Sequence, residues 1–301
     1  MYLTHFGFSE LPFSLTPDTD FFFESASHAE ALNTLHAALR LGEGFIKVTA
    51  EIGLGKTLLC RLLLRQLDDG FVTAYVPDPL LSPRSLRVAL AEELSLAVDN
   101  DNTDAQLLGA IQRQLLGNAA NGRRTVLVID EAHQLASETL ESIRLLTNLE
   151  TEKAKLLQVV VVGQPELDRR LCEPALRQLR QRISFDCTLQ PLNLADTATY
   201  IAHRLARAGD GETPAITPEA VAAVYKASRG TPRLINMLCH KALLAAWGTG
   251  VRRVHETHAR RAIADSQAAV REAGASRLPW RPWALLPRAL RPAGLVAERC
   301  Q

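Results

Sequence analysis

The residues best suited to chemistry begin with a short segment that contains two glycines followed by a lysine and a threonine. Gly53 and Gly55 would let backbone N–H groups turn inward around an anion, and a helix starting at Lys56 would direct its positive dipole end there. Lys56 could then reach the β- and γ-phosphates of a nucleotide, while the Thr57 hydroxyl could bind Mg²⁺. We therefore expect ATP and Mg²⁺ to bind along Ala50, Glu51, Ile52, Gly53, Leu54, Gly55, Lys56, Thr57 and Leu58.

The setting of this segment matches the Walker A phosphate loop, which requires a strand before it and a helix after it. Residues 45–49 are apolar enough for a strand, and residues 56–67 have the broad apolar face of a helix packed on a sheet. Ala50 departs from the pattern, which usually begins with glycine. On this segment alone, the alternative is a glycine-rich turn that carries Lys-Thr by chance.

A second chemical signal is a pair of carboxylates, Asp130 and Glu131, at the end of the apolar run 126–129. In a parallel sheet this strand end would lie at the same edge as the phosphate loop. As in a Walker B element, Asp130 is predicted to hold Mg²⁺ through its water shell, and Glu131 to orient and activate the attacking water. The alternative, an acidic pair at a solvated helix N-terminus, does not explain the apolar strand.

Residues 130–133 also spell DEAH, a helicase motif. Helicases of that group need two RecA-like domains in tandem, whereas the second part of this chain is predicted to be small and helical. We therefore interpret His133 as a residue at the start of a helix and not as a coupling element.

Alternating strands and helices must position these residues. Strands are predicted at 45–49, 72–76, 125–129, 157–162 and 183–189, separated by helices at 56–67, 82–94, 103–116 and 138–149. This alternation is typical of βαβ units, so the sheet should be parallel and doubly wound. Beyond Pro191 only helices are predicted, at about 195–208, 218–227, 232–246 and 255–269. The fold class is thus α/β: a P-loop NTPase with a parallel doubly wound sheet, followed by a small all-helical lid domain.

Four segments follow from this pattern. Residues 1–25 are predicted to be an irregular arm packed on the ATPase core, 26–190 the core, 191–270 the helical lid, and 271–301 a disordered tail. A net charge of +1 gives no global attraction to nucleic acid. The first ten residues lack the basic and apolar regions of a signal peptide, and no apolar run reaches the ~18 residues that span a bilayer. We therefore expect a cytoplasmic protein without a transmembrane segment.

Several further blocks resemble the ExeA/GspA-type AAA+ ATPases, most closely the MshM group, which is linked to biogenesis of the MSHA type IV pilus. The resemblance runs from Met1 to about Ser266 and implies a fold of the AAA+ class in the ASCE division. ExeA-type members continue into a transmembrane helix and a peptidoglycan-binding module, and their absence here favours the shorter pilus-type member. Ala50 and His133 replace the more usual Gly and Gln. The blocks that carry the resemblance include Phe6-Gly7-Phe8, Leu145-Leu146-Thr147-Asn148-Leu149, Gly163-Gln164-Pro165-Glu166-Leu167, Leu179-Arg180-Gln181-Arg182-Ile183 and Gly230-Thr231-Pro232-Arg233.

The resemblance also implies roles for four polar residues. Gln164, after the strand that follows Walker B, matches the sensor-1 position, which contacts the γ-phosphate or the attacking water. Arg233 matches sensor 2, which reaches from the lid to the nucleotide. Arg180 and Arg182 lie where AAA+ proteins place an arginine finger that enters a neighbour's site. For each arginine, the alternative is an ordinary ion pair on the surface.

The function implied by the resemblance is ATP hydrolysis that drives or regulates assembly of a type IV pilus or a related type II secretion apparatus. It implies a homo-oligomer and, as partners, pilus or secretion assembly proteins that would hold the cytoplasmic protein peripherally at the inner membrane. Two alternatives differ in class. One is a DNA-dependent regulator resembling the transposition AAA+ ATPases, which the neutral charge disfavours. The other is a nucleotide-gated scaffold with negligible turnover, against which the intact Glu131 argues.

Overall fold

The computed structural model describes residues 2–77, 81–99, 101–152, 154–209 and 216–266. Five strands are present in this part of the chain: β1 (Phe45–Thr49), β2 (Phe71–Val76), β3 (Arg124–Ile129), β4 (Leu157–Gly163) and β5 (Phe185–Thr188). The α-helices in it are α1 (Tyr2–Phe6), α2 (Ala26–Leu41), α3 (Lys56–Gln66), α4 (Pro83–Glu93), α5 (Asp104–Ala120), α6 (Ser137–Leu146), α7 (Glu166–Leu171), α8 (Arg177–Arg182), α9 (Leu194–Ala208), α10 (Pro218–Ser228), α11 (Pro232–Gly248) and α12 (Glu256–Ala264).

All five strands run parallel, in the order β2-β3-β4-β1-β5. β4 therefore separates β1, which leads into the phosphate loop, from β3, which ends at the two carboxylates. The predicted α/β class with a parallel sheet is confirmed, and the parallel order brings the carboxyl ends of β1, β3 and β4 to one edge of the sheet.

The central strands are buried on both faces, which explains their composition. Every residue of β4 is buried, and Val126–Ile129 of β3 are completely inaccessible to solvent. Parallel strands covered by helices on both sides are continuous runs of Val, Ile and Leu in this way. The sequence located the ends of the first four strands to within one residue, whereas the fifth begins two residues later and ends one residue earlier than predicted.

Side-chain caps fix several helix starts. The Ser82 side chain accepts from the Ser85 N–H with Pro83 in the first turn, and Thr217 does the same for the Ala220 N–H. Each of these two capping residues precedes a proline in the sequence, which is the order typical of a helix start. Predicted helix ends were less accurate, since α12 stops at Ala264 and α6 at Leu146. The short helices α7 and α8 were not predicted at all.

The chain divides into two compact units, each described here by itself. A sheet unit comprises Ala26–Ile52 and Lys56–Leu189, with the whole of the sheet. A helical unit comprises Met1–Ser25, Gly53–Gly55 and the described residues from Gln190 onward. The phosphate loop thus passes through both.

The N-terminal arm differs from its prediction in two ways. Its first residues form the helix α1, and its buried aromatic residues, including Phe6, Phe8 and Phe13, belong to the core of the helical unit rather than to that of the ATPase sheet. Phe8 pairs with Gly209 in an antiparallel bridge, and the buried Arg204 donates from Nε to the Pro12 carbonyl oxygen over 2.6 Å. The phenylalanines signalled burial in the sequence, but not which core they would enter.

Among the described residues, no helix combines the length and the apolar composition needed to cross a bilayer. The predicted tail, 271–301, lies outside the described residues.

Candidate functional site

The phosphate loop leaves β1 at Ala50, whose N–H donates to the carbonyl oxygen of Gly163 at the end of β4 (3.0 Å). Gly53 and Gly55 have φ angles of +83° and +91°, a region in which a Cβ is strained, so glycine is required at both positions. The loop closes into α3 at Lys56. The predicted sequence of strand, glycine turn and helix N-terminus is therefore present.

Lys56 is buried and folded back onto its own loop. Its Nζ donates to the carbonyl oxygen of Ala50 at 3.2 Å and lies 3.5 Å from that of Glu51. Burial lowers the pKa of the Lys56 ammonium, and the carboxylates of Glu131 and Asp130 oppose that shift. A cation held among carbonyl groups and carboxylates at a helix start is suited to receive phosphate oxygens.

Thr57 and Asp130 meet directly, although 73 positions separate them in the sequence. The Thr57 hydroxyl donates to Asp130 Oδ2 over 2.7 Å, and the Glu131 N–H donates to Asp130 Oδ1 over 2.8 Å. Asp130 is 1% exposed, and burial raises the pKa of its carboxyl against the effect of these two hydrogen bonds. A hydroxyl and a carboxylate so close together are hard oxygen ligands that fit Mg²⁺.

Glu131 has a left-handed backbone conformation, with φ 50° and ψ 30°. Such a conformation is uncommon for a residue with a side chain and is often found at functional sites. Gln164, the first residue after β4, points its Nε2 at Glu131 Oε2 across 3.4 Å. The structure thus brings together the predicted base and the predicted sensor-1 residue.

His133 lies in a short 3₁₀ turn, Ala132–Gln134, before α6. Its ring is not merely at a helix start, as the sequence suggested: Nδ1 lies 3.4 Å from Glu131 Oε2 and 3.4 Å from the Gln164 backbone nitrogen. Burial lowers the pKa of the His133 imidazole. His133 is therefore part of the constellation around Glu131.

Tyr75 is a further neighbour of the site that the sequence did not reveal. It lies on β2 opposite Val128 of β3, near enough to the Asp130 carboxylate for the two groups to interact electrostatically. Burial and this carboxylate raise the pKa of Tyr75 well above its usual range. The sequence offered one indication of this proximity. Tyr75 is the penultimate residue of a strand that was predicted to run parallel to the Walker B strand.

Arg233 makes its contacts with the part of the phosphate loop that groups with the helical unit. Its backbone N–H donates to the Gly53 carbonyl oxygen over 3.2 Å, and a Cβ on Gly53 would come within 2.7 Å of the Arg233 Cβ. The side chain of Arg233 is exposed. The residue predicted as sensor 2 is thus packed against the glycine turn.

The two residues predicted as arginine fingers, Arg180 and Arg182, lie on α8. The contacts described for them involve other residues than the phosphate loop and the carboxylate pair. Arg182 Nη1 donates to the Thr147 hydroxyl over 3.4 Å. Arg180 lines a cavity of about 100 Å³ together with Lys47 and Asp168, which form an ion pair. Both arginines are partly buried.

Comparisons with known proteins agree with this fold. Residues 39–171 match the family model described as an AAA domain. Similar structures include ORC2 of Aeropyrum pernix (15% identical, TM-score 0.60, covering 83% of this chain and 72% of that one). The RuvB Holliday junction branch migration motor of Thermotoga maritima is 19% identical, with a TM-score of 0.55 and coverage of 84% and 73%. These likenesses show the fold alone, which is that of P-loop proteins of the AAA+ class.

Among curated proteins, the chain is similar to the general secretion pathway protein A of Aeromonas hydrophila. The two are 44% identical over 254 residues, which cover 84% of this chain and 46% of that protein. The chain therefore spans less than half the length of this relative.

Proposed function

We propose that this chain is an ExeA/GspA-type ATPase, nearest to the MshM group, that uses ATP to drive or regulate assembly of a type IV (MSHA-like) pilus or a related type II secretion apparatus. The observation that carries the proposal is the 44% identity to a general secretion pathway protein over 84% of the chain. The ATPase works in the cytoplasm as a homo-oligomer, attached peripherally at the inner membrane through its assembly partners.

In the proposed mechanism, the phosphate loop binds the triphosphate of ATP, with backbone N–H groups and Lys56 on the β- and γ-phosphates. Thr57 and Asp130 would hold Mg²⁺, and the ion would supply positive charge for the phosphate oxygens. The 2.7 Å approach of these two side chains supports that assignment. Asp130 is buried, and charges interact more strongly away from bulk water.

Glu131 accepts a proton from the attacking water as that water approaches the γ-phosphate, and Gln164 orients the same water. The carboxylate at a buried strand end and the amide 3.4 Å away support these roles. Arg233 is proposed as sensor 2, because its backbone is fixed to the glycine turn. Arg182 or Arg180 enters the neighbouring subunit's site and stabilises charge that develops in the transition state.

The proposal is tested by Glu131→Gln, an amide that cannot activate water. We expect this variant to bind ATP normally and to hydrolyse it about 10²–10⁴ times more slowly, the usual contribution of a general base. ATP should then trap the complex with its partners, and a pull-down should enrich inner-membrane pilus or secretion assembly proteins. Lys56→Ala, which cannot hold the phosphates, is the matched control and should enrich none of them.

Two results would contradict the proposal. Undiminished turnover in Glu131→Gln would mean that another residue is the base. Hydrolysis stimulated by DNA, falling steeply as salt increases, would instead support the DNA-dependent regulator.

A further inference from the structure

One nitrogen atom, His133 Nδ1, lies between the two groups that are proposed to handle the attacking water. It is 3.4 Å from the carboxylate oxygen Oε2 of Glu131 and 3.4 Å from the backbone nitrogen of Gln164. The side-chain amide of Gln164 lies 3.4 Å from the same Oε2 atom. The three residues therefore form a closed triangle of polar contacts, of which the proposed mechanism uses only two members.

The backbone around His133 is fixed to the segment after β4 by independent contacts. Arg170, on α7, donates from Nη1 to the His133 carbonyl oxygen over 2.8 Å. Gly163 approaches closely on the other side, since a Cβ there would lie 3.3 Å from the His133 nitrogen and 3.0 Å from Leu167 Cδ2. The turn that carries Glu131 and the segment that carries Gln164 are thus packed together through His133.

The chemistry of imidazole limits what this nitrogen can do. When Nδ1 carries a lone pair it can accept the Gln164 N–H, and when it carries a proton it can donate to Glu131, but it cannot do both at once. Burial favours the neutral ring, because it lowers the pKa of His133. With a lone pair on Nδ1, the ring joins its own turn, which also carries Glu131, to the Gln164 backbone. With a proton on Nδ1, the ring holds the Glu131 carboxylate itself.

We propose that His133 is a positioning residue for hydrolysis, which sets the placement of the Glu131 carboxylate relative to the Gln164 segment. The inference rests on the proposed role of Glu131 as the base. It assigns His133 no contact with substrate, so its loss should lower turnover without changing ATP affinity.

Two substitutions separate this role from simple packing. His133→Phe keeps a ring of similar size and removes both polar nitrogens. His133→Gln is an unequal shape but offers an amide that can accept from one neighbour and donate to the other. A packing role predicts that Phe is tolerated better than Gln, whereas a positioning role predicts the opposite.

The test measures ATP affinity, single-turnover hydrolysis and thermal unfolding for the wild type, His133→Phe, His133→Gln, Glu131→Gln and the double variant His133→Phe/Glu131→Gln. We expect His133→Phe to lose roughly threefold to tenfold in rate, as for one hydrogen bond, with unchanged affinity, and His133→Gln to recover most of it. In the Glu131→Gln background the same substitution should cost nothing further, because the group that it positions is already disabled. Should His133→Phe fail to fold, His133→Leu replaces it.

The outcomes distinguish the two proposals. Full turnover in His133→Phe together with slow turnover in Glu131→Gln would overturn the positioning role alone. An equal loss from His133→Phe in both backgrounds would also overturn it, since the effect would then not pass through Glu131. Undiminished turnover in Glu131→Gln would overturn the assignment of the base and the positioning role with it.

Discussion

At the scale of single residues, Asp130 illustrates a conflict between stability and binding. Its carboxylate is buried, and burial raises its pKa, so the folded protein holds the acid form more readily than the unfolded chain does. The unfolding free energy therefore falls as pH rises from the ordinary value of 3.8 through the raised pKa. At neutral pH, without Mg²⁺ or nucleotide, the charged carboxylate destabilises the fold.

Asp130→Asn should therefore have a higher Tm than the wild type at pH 7 in EDTA. An amide can keep the hydrogen bond from the Glu131 N–H and donate to the Thr57 hydroxyl, so the geometry is retained. The advantage should shrink as pH falls below 3.8, where the carboxyl is protonated in both states. For a chain of this size each kcal/mol corresponds to about 2–4 °C. Equal melting curves at pH 7, or an advantage that grows at low pH, would contradict this account. The same variant should lose Mg²⁺-dependent turnover.

Lys56→Ala should weaken ATP binding by roughly tenfold to a hundredfold, because hydrogen bonds to charged groups contribute about 1.5–3 kcal/mol each. Titration calorimetry of the folded variant measures the loss. Lys226→Ala removes an exposed lysine of α10 and serves as the control, with affinity expected to match the wild type. Retained affinity in Lys56→Ala would exclude this lysine from the nucleotide site.

The residues that could be predicted from the sequence are those whose spacing along the chain is itself the signal. Lys56 and Thr57 follow a glycine turn, and Asp130 ends an apolar strand, so local order was enough. Tyr75 and His133 were missed as site residues because their contacts depend on which strand lies beside which. That information becomes available only once the order β2-β3-β4-β1-β5 is known.

At the scale of elements, the link between α9 and α10–α11 depends on a glycine with no space for a side chain. Gly230 has φ +77°, and a Cβ there would lie 1.8 Å from the Leu192 carbonyl oxygen. In turn, the Leu192 N–H donates to the Gly230 carbonyl oxygen over 2.9 Å. The backbone before α9 and the turn before α11 are therefore in direct contact within the helical unit.

Gly230→Ala should destabilise the helical unit by about 2–5 kcal/mol, since the left-handed conformation costs an L-residue about 1–2 kcal/mol and the clash adds to it. Gly248→Ala is the matched control, because that helical glycine of α11 has no neighbour within 4 Å of a Cβ. It should leave the Tm unchanged or raise it slightly, as alanine favours the helix. Denaturant unfolding of both variants measures the difference, and equal stability would mean that the turn can move aside.

The elements also show where sequence reasoning stops. The strands were predictable because buried parallel strands are long apolar runs, and the caps because Ser82 and Thr217 precede prolines. The helices α7 and α8 are too short, at six residues each, to give a periodic signal. The N-terminal arm was predicted to pack on the core of the sheet, but its phenylalanines lie in the core of the helical unit. Their apolar side chains indicate that they are buried and do not indicate against which residues.

At the scale of the whole molecule, the proposed finger makes hydrolysis a property of an assembly. If Arg182 or Arg180 acts on a neighbour's nucleotide, turnover per subunit should rise with protein concentration as oligomers form. Arg182→Ala should keep ATP binding and lose turnover, because the missing charge acts mainly in the transition state, where such fingers contribute ~10³–10⁵. Arg177→Ala, at the exposed start of the same helix α8, is the control and should keep its rate.

Mixing two inactive variants then separates action between subunits from action within one. Arg182→Ala retains an intact phosphate loop, whereas Lys56→Ala retains an intact finger. In a mixed oligomer the intact phosphate loop of one subunit can lie beside the intact arginine finger of another. The mixture should therefore regain activity that neither variant has alone. Co-assembly is checked by pull-down of a tagged variant. A mixture that co-assembles yet stays inactive would show that Arg182 acts within its own subunit or has no part in hydrolysis. The same mixture made with Arg180→Ala then distinguishes the two arginines, because only the residue that crosses the interface should be complemented.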